Sequence, residues 1–290
     1  MDLEIFKEAK VKRKPLILDG AMGSLLQQNG FENNIKTWMT NVNRISPDTI
    51  VSIHSEYIKA GADIITTNTF RTNPVAFDND VYRSKEEVKL AASLAKSAKS
   101  ITTTLIAGSN APAEDCYQKE RRVSKELLEI NHCNHIDFLI DNEVDFILNE
   151  TQSHWDEIEI ICKHCYKNSI PFVISLYFKD DLTLLSGEAI TDAINLIMDN
   201  GALAAGFNCI APNIYSKLIA RKILPETWGF YLNCGSGNPE DEIIECGISP
   251  ETYLKSVEES LAFSPSFIGT CCGSGFEHIK KIKEFLDGKS

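Results

Sequence analysis

Short, apolar, β-rich runs alternate with amphipathic helical segments along the whole chain, and this alternation restricts the fold more than any other feature. The runs are LILD (16–19), DIITT (63–67), TTLIAG (103–108), DFILNE (145–150), FVISLY (172–177), LAAGFN (203–208), WGFYLN (228–233) and SFIGT (266–270). They barely alternate in polarity, as expected of parallel strands whose outer face is covered by helices. The segments between them have helical spacing: in TIVSIHSEYIKA, residues Ile50, Ile53, Tyr57 and Ile58 fall on one face. Ser46 before Pro47 offers an N-cap, Gly61 a stop, and Ser249-Pro250-Glu251 repeats the entry signal. Further helices are expected over 85–100, 124–141, 154–168, 189–200, 214–223, 250–263 and 277–286. Eight strand–helix units in 290 residues match an α/β fold, a single (β/α)8 TIM barrel spanning 1–290. Residues 1–14 form an N-terminal helical extension beneath it. An open doubly wound sheet is the alternative, weakened because no G-x-G-x-x-G follows the first run.

Composition narrows the partners. Lys and Arg number 29 against 41 Asp and Glu, a net charge of −12, with no basic cluster longer than Lys12 to Lys14. Nucleic acid and anionic membrane surfaces are met with excess positive charge, so neither is an expected partner. No stretch approaches the roughly 18 apolar residues of a membrane helix, and the N-terminus lacks an apolar export core. The expected location is cytoplasmic. Nine cysteines cannot all pair, and a chain of this size needs no staples, so reduced thiols are expected. Cys162 and Cys165 have metal-like spacing, but with Ile158 and Ile161 they make one buried helix face and are read as core thiols.

In a barrel, active sites gather where the strands end and the loops toward the helices begin. Asp19-Gly20-Ala21-Met22, Thr67-Asn68-Thr69-Phe70, Asn149-Glu150-Thr151, Asn208-Cys209, Asn233-Cys234 and Thr270-Cys271-Cys272-Gly273 therefore converge on one rim. Cys209 and the Cys271-Cys272 pair lie on strands that flank a common neighbour, with backbones roughly 10 Å apart and side chains able to meet between. Catalytic Zn²⁺ takes three protein ligands and leaves one position open, and thiolate suits it. Gly273 allows the turn that points consecutive side chains at one ion. The alternative is three unrelated buried thiols.

These motifs resemble the zinc-dependent homocysteine S-methyltransferase family. The resemblance runs from LILDGAMGS through TWMTNVNRISPDTIVSIHSEYIKAGADIITTNTFRTN, NET, GFNC and YLNCG to GTCCGS. It implies a (β/α)8 barrel with catalytic zinc at the C-terminal face of the strands, held by Cys209, Cys271 and Cys272. It implies that Asp19 and Glu150 bind the homocysteine amino group, and that Asn233 can occupy the zinc position when substrate is absent. The implied activity is methionine biosynthesis, by methyl transfer from a sulfonium donor, S-methylmethionine or S-adenosylmethionine, to homocysteine. Thr270, Gln152, Leu232, Cys234 and Ser274 depart from the family motifs and leave the donor and the exact thiol acceptor open. Other readings are a free-standing homocysteine module of a cobalamin/folate-dependent or betaine-dependent system and, in another class, a zinc-binding or thiol redox-sensing protein.

The chemistry is consistent with these residue types. Thiolate is the nucleophile, and a metal that binds the acceptor sulfur favours its deprotonation. Three cysteinates leave a zinc site net anionic, which suits a cationic donor. Phe70, Trp38 or Tyr177 could add a cation–π contact, the alternative for each being packing. The amides of Ala21, Met22 and Gly23 could cradle the substrate carboxylate. His54, His132, His135, His154, His164 and His278 fall in helical segments and are read as structural or exposed. The oligomeric state is left unassigned.

Overall fold

The computed structural model describes residues 4–34, 36–99, 102–236 and 244–288. Residues 1–3 of the expected extension and Ser100 of the expected 85–100 helix lie outside them. In chain order the strands are β1 (Leu16–Ile17), β2 (Ile64–Thr66), β3 (Leu105–Asn110), β4 (Phe146–Gln152), β5 (Phe172–Leu176), β6 (Ala204–Asn208), β7 (Trp228–Leu232), β8 (Gly235–Ser236), β9 (Glu245–Cys246) and β10 (Phe267–Thr270). The helices are α1 (Ile5–Lys12), α2 (Gly23–Gln28), α3 (Val42–Ile45), α4 (Pro47–Ala60), α5 (Val81–Lys99), α6 (Lys125–Asp141), α7 (Trp155–Lys167), α8 (Ile190–Asp199), α9 (Pro212–Ala220), α10 (Pro250–Leu261) and α11 (Phe276–Asp287).

Eight strands form one sheet in the order β1-β10-β7-β6-β5-β4-β3-β2, every pairing parallel. A parallel bridge between Leu18 and Ile64 joins the two ends. The Asp19 amide donates to Ile64 O at 2.9 Å and the Asp63 amide to Ile17 O at 2.8 Å across the same seam. The sheet is therefore a barrel, as the alternation predicts, and the open-sheet alternative falls. Strand β1 is shorter than the expected 16–19, with Leu18 continuing it only through the bridge to Ile64. The pair β8–β9 is an antiparallel ribbon that the sequence did not signal.

Neighbouring strand residues face opposite sides. Leu18, Ile64, Ala107, Leu148, Val173 and Phe267 pack inside the barrel, while Ile17, Ile65, Ile106 and Ile268 pack outward against the helices. Helix α1 lies under the barrel as expected: Phe6 is 1% exposed and meets Phe146 and Phe267 edge-on at 5.4 and 5.8 Å. Cys162 and Cys165 are fully buried on α7 beside Ile158 and Ile161, which bears out their reading as core thiols.

The capping signals hold in part. Gly61 ends α4 in the left-handed region at φ 108°, and the Ser249 hydroxyl accepts from the Thr252 amide at 3.3 Å. Ser46 does not cap α4; its hydroxyl pairs instead with Thr49 Oγ1 at 2.8 Å, where two hydroxyls satisfy each other.

Candidate active site

The inward parity that fills the lower barrel with apolar side chains continues upward into a polar layer. Ser109 on β3, Glu150 on β4, Ser175 on β5 and Tyr231 on β7 each stand two residues beyond an inward apolar or glycine position, so they face the interior below the rim. Asp19 joins them from the end of β1. Its Oδ2 accepts from the Thr66 amide at 2.7 Å and its Oδ1 from the Thr66 hydroxyl at 2.8 Å. Burial pushes the Asp19 carboxyl up to about 8; the bonds from Thr66 pull it down and the charge of Glu150 raises it further. Glu150 accepts a short hydrogen bond from the Ser109 hydroxyl. Burial raises its carboxyl to about 7 against the opposing pull of Ser109 and Tyr231.

Above this layer the three predicted cysteines come together. Cys209, Cys271 and Cys272 place their sulfurs within 4.8 Å of one another. Cys209 and Cys271 are bonded as a disulfide, with Cα atoms 5.8 Å apart, and Cys272 Sγ lies 3.9 Å from Cys209 Sγ and 4.0 Å from Cys271 Sγ. Two expectations are corrected here. The backbones are closer than two strand spacings because Cys209 leaves β6 in the left-handed region at φ 53°. Two of the expected free thiols are paired because this separation is the span that a disulfide closes. Gly273 fulfils its expected role: at φ 80° a Cβ there would fall 2.5 Å from Gly235 Cα.

The donor set fits a tetrahedral metal once the disulfide is reduced. Metal–sulfur bonds of about 2.3 Å at tetrahedral angles separate ligand sulfurs by roughly 3.8 Å, close to the 3.9 and 4.0 Å found from Cys272. The electrostatics agree. Burial and the charge of Glu150 push the Cys272 thiol up to about 11, so a cation in this cluster would relieve thiol and carboxyls together.

The remaining predicted residues are placed less directly. The Ala21 amide already donates to the Ser274 hydroxyl at 3.2 Å, and the Met22 carbonyl accepts from the Leu26 amide at 3.1 Å. Asn233 uses its Oδ1 to accept from the Gly235 amide at 2.7 Å, which fixes the turn after β7. Phe70 is half-buried with the Arg71 guanidinium 5.5 Å from its ring centre, so a cation of the chain itself stands over that ring. Trp38 packs against Gly23, where any Cβ would strike its indole. Tyr177 meets Tyr117 edge-on at 5.0 Å. Cys234 is fully buried and leans on Leu232 O, away from a ligand role.

Thr66, Ser109, Tyr231 and the Cys116-Tyr117 pair join the site without a signal in the sequence pattern, and Ser274, a departure from the family motif, holds the Ala21 amide. Strand β3 runs to Asn110, two residues past the expected end at 108, and so carries Ser109 at its productive end. Cys116 and Tyr117 lie in the β3–α6 loop, and both are in electrostatic reach of Cys272. Of the histidines, His132 and His135 are buried in a hydrogen-bonded network behind β3 and β4, consistent with a structural reading.

A parallel barrel with its polar groups collected at the C-terminal ends of the strands defines the class of (β/α)8 enzymes. Within that class the chain belongs to the homocysteine S-methyltransferase family, whose model matches residues 16–286, and it is thus an enzyme of the methyltransferase class. It is 25% identical over 306 residues to homocysteine S-methyltransferase 2 of Zea mays, covering 94% of this chain and 90% of that protein. It is 24% identical to the betaine-homocysteine S-methyltransferase of Drosophila melanogaster, covering 99% and 98% of the two. The homocysteine methyltransferase MmuM of Escherichia coli, in its metallated form, superimposes with a TM-score of 0.81 at 24% identity, covering 99% of this chain and all of that one. No helix among the described residues is long and apolar enough to cross a membrane.

Proposed function

We propose that the chain works as a single barrel domain that moves a methyl group from a cationic sulfonium donor to the sulfur of homocysteine, forming methionine. The observation that carries this reading is the cluster of Cys209, Cys271 and Cys272 standing over two buried carboxyls, Asp19 and Glu150. Those three cysteines would hold Zn²⁺, which supplies an open position where a thiol loses its proton at neutral pH. Every other function belongs to the chain. Asp19 and Glu150 receive the ammonium group of the acceptor, which meets the charge demand of two buried carboxylates. Thr66 and Ser109 hold those carboxyls in place. Tyr117, in electrostatic reach of Cys272, packs edge-on against Tyr177 beside the cluster. The family membership, the metallated form of the similar Escherichia coli structure and the tetrahedral spacing of the sulfurs support zinc and homocysteine. Charge supports a sulfonium: a net anionic thiolate centre attracts a cationic donor more than a neutral one.

The test is a donor panel on the reduced, zinc-loaded protein with homocysteine as acceptor: S-methylmethionine, S-adenosylmethionine, betaine and methylcobalamin. Turnover with a sulfonium is the expected result; turnover with betaine alone would transfer the reading to the chemistry named for the Drosophila relative. Cys209→Ser is expected to lose zinc and turnover together, and full turnover by a metal-free variant would sink the mechanism. One observation favours a second reading, thiol redox sensing: the Cys209–Cys271 disulfide. Reduced protein that binds zinc but transfers no methyl group from any donor would favour it.

A further inference from the structure

Asp19 and Glu150 are held very differently. Both oxygens of Asp19 are fixed by Thr66, at 2.7 and 2.8 Å. Glu150 has its Oε1 fixed by Ser109 from the neighbouring strand β3. The group that borders its carboxylate from across the interior is the hydroxyl of Tyr231 on β7, three strands around the barrel. Tyr231 is 2% exposed, and its hydroxyl has no partner in hydrogen-bonding geometry although it adjoins both Glu150 and Ser175. A buried phenol is normally hydrogen-bonded, and Glu150 and Ser175 are the polar groups beside this one. The backbone of the same residue reaches the rim: Tyr231 O accepts from the Cys209 amide at 3.1 Å.

We propose that Tyr231 is a positioning residue, its hydroxyl donating to the free oxygen of Glu150 and turning that carboxylate toward the ammonium group of the acceptor. This deepens the function proposed above and rests on it. A carboxylate held by Ser109 alone can pivot about that bond; a second donor from the opposite wall removes the pivot. Because β7 also carries the Cys209 contact, the distance between the ammonium cradle and the thiol cluster is set by one strand.

Tyr231→Phe tests this, since it removes the hydroxyl and keeps the packed ring. In the reduced, zinc-loaded protein the homocysteine KM and the calorimetric Kd are expected to rise about ten-fold, the scale of one hydrogen bond to a charged group. Zinc content and kcat are expected to stay close to wild type. Glu150→Gln and the double variant complete a cycle, in which Tyr231→Phe adds nothing once Glu150→Gln is present. An unchanged KM and Kd in Tyr231→Phe, or losses that simply add in the double variant, overturn the proposal. Wild-type protein that binds homocysteine but does not methylate it fails the functional reading while the Kd cycle still decides this one; wild type that binds no homocysteine overturns both.

Discussion

Asp19 carries the plainest electrostatic consequence of the fold. Burial moves its carboxyl up to about 8 and that of Glu150 up to about 7, so both favour the protonated form in the folded chain. A raised carboxyl binds its proton more tightly folded than unfolded. The stability it contributes is complete below the unfolded value of about 4 and is lost as the pH rises through the folded values. Without ligand, the wild-type Tm is therefore expected to fall as the pH rises from about 5 to about 8, and Asp19→Asn should flatten that fall. Equal slopes for the two proteins in thermal scans would show that Asp19 is not protonated in the fold. The same variant should raise the homocysteine KM while zinc stays bound, and unchanged kinetics would remove Asp19 from the site. Of the residue-scale chemistry, the cysteines and the two carboxyls were legible in the sequence because each stands at or just beyond the C-terminal end of an expected strand. Tyr231 was not, since inside a strand only the inward parity distinguishes a working side chain from a packed one.

Among the elements, the β3–α6 loop over residues 111–124 is anchored from both sides. Glu157, on the first turn of α7, accepts from the Ala113 amide at 3.0 Å, pairs with His132 Nε2 at 2.7 Å and makes a short ion pair with Arg121. Arg71 holds the carbonyls of Pro112 at 3.2 Å and Glu114 at 2.5 Å from the other side. Burial alone would raise the Glu157 carboxyl, but His132 and Arg121 outweigh it and bring it down to about 2. Its contribution is present above the unfolded carboxyl value and is lost only as the pH falls through about 2, so it is fully expressed at neutral pH. Glu157→Gln takes the charged partner from the fully buried His132 and leaves the part-buried Arg121 with Asp156 alone, and should cost about 2 kcal/mol in urea unfolding at neutral pH. A loss under about 1 kcal/mol would mean that the pair is screened as an exposed one is. The helices themselves were readable from spacing and caps, with α5 starting four residues before the expected 85. This loop was not, because two of its anchors, Arg71 and Glu157, come from segments about forty residues away on either side.

At the scale of the molecule, closure of the sheet and the plug beneath it go together. Phe6 from α1 fills the lower interior against Phe146 and Phe267, so the first helix completes the core that eight strands enclose. Phe6→Ala is expected to lower stability by about 3 to 5 kcal/mol, the range for a buried aromatic truncated to a methyl group. Chemical denaturation measures it, and a change below about 1 kcal/mol would show that the extension packs loosely. The number, order and hand of the units were fixed by local pattern, because hydrophobic period and turn chemistry act over a few residues and parallel crossovers admit one hand. Local pattern also set which side chains end each strand, and hence the rim on which the three cysteines meet. Tertiary structure alone decided the remainder: that Cys209 and Cys271 stand within disulfide reach, and that a phenol from β7 faces a carboxylate on β4. Those outcomes depend on how strands far apart in sequence are staggered around a closed barrel, and no spacing along the chain encodes a distance across it.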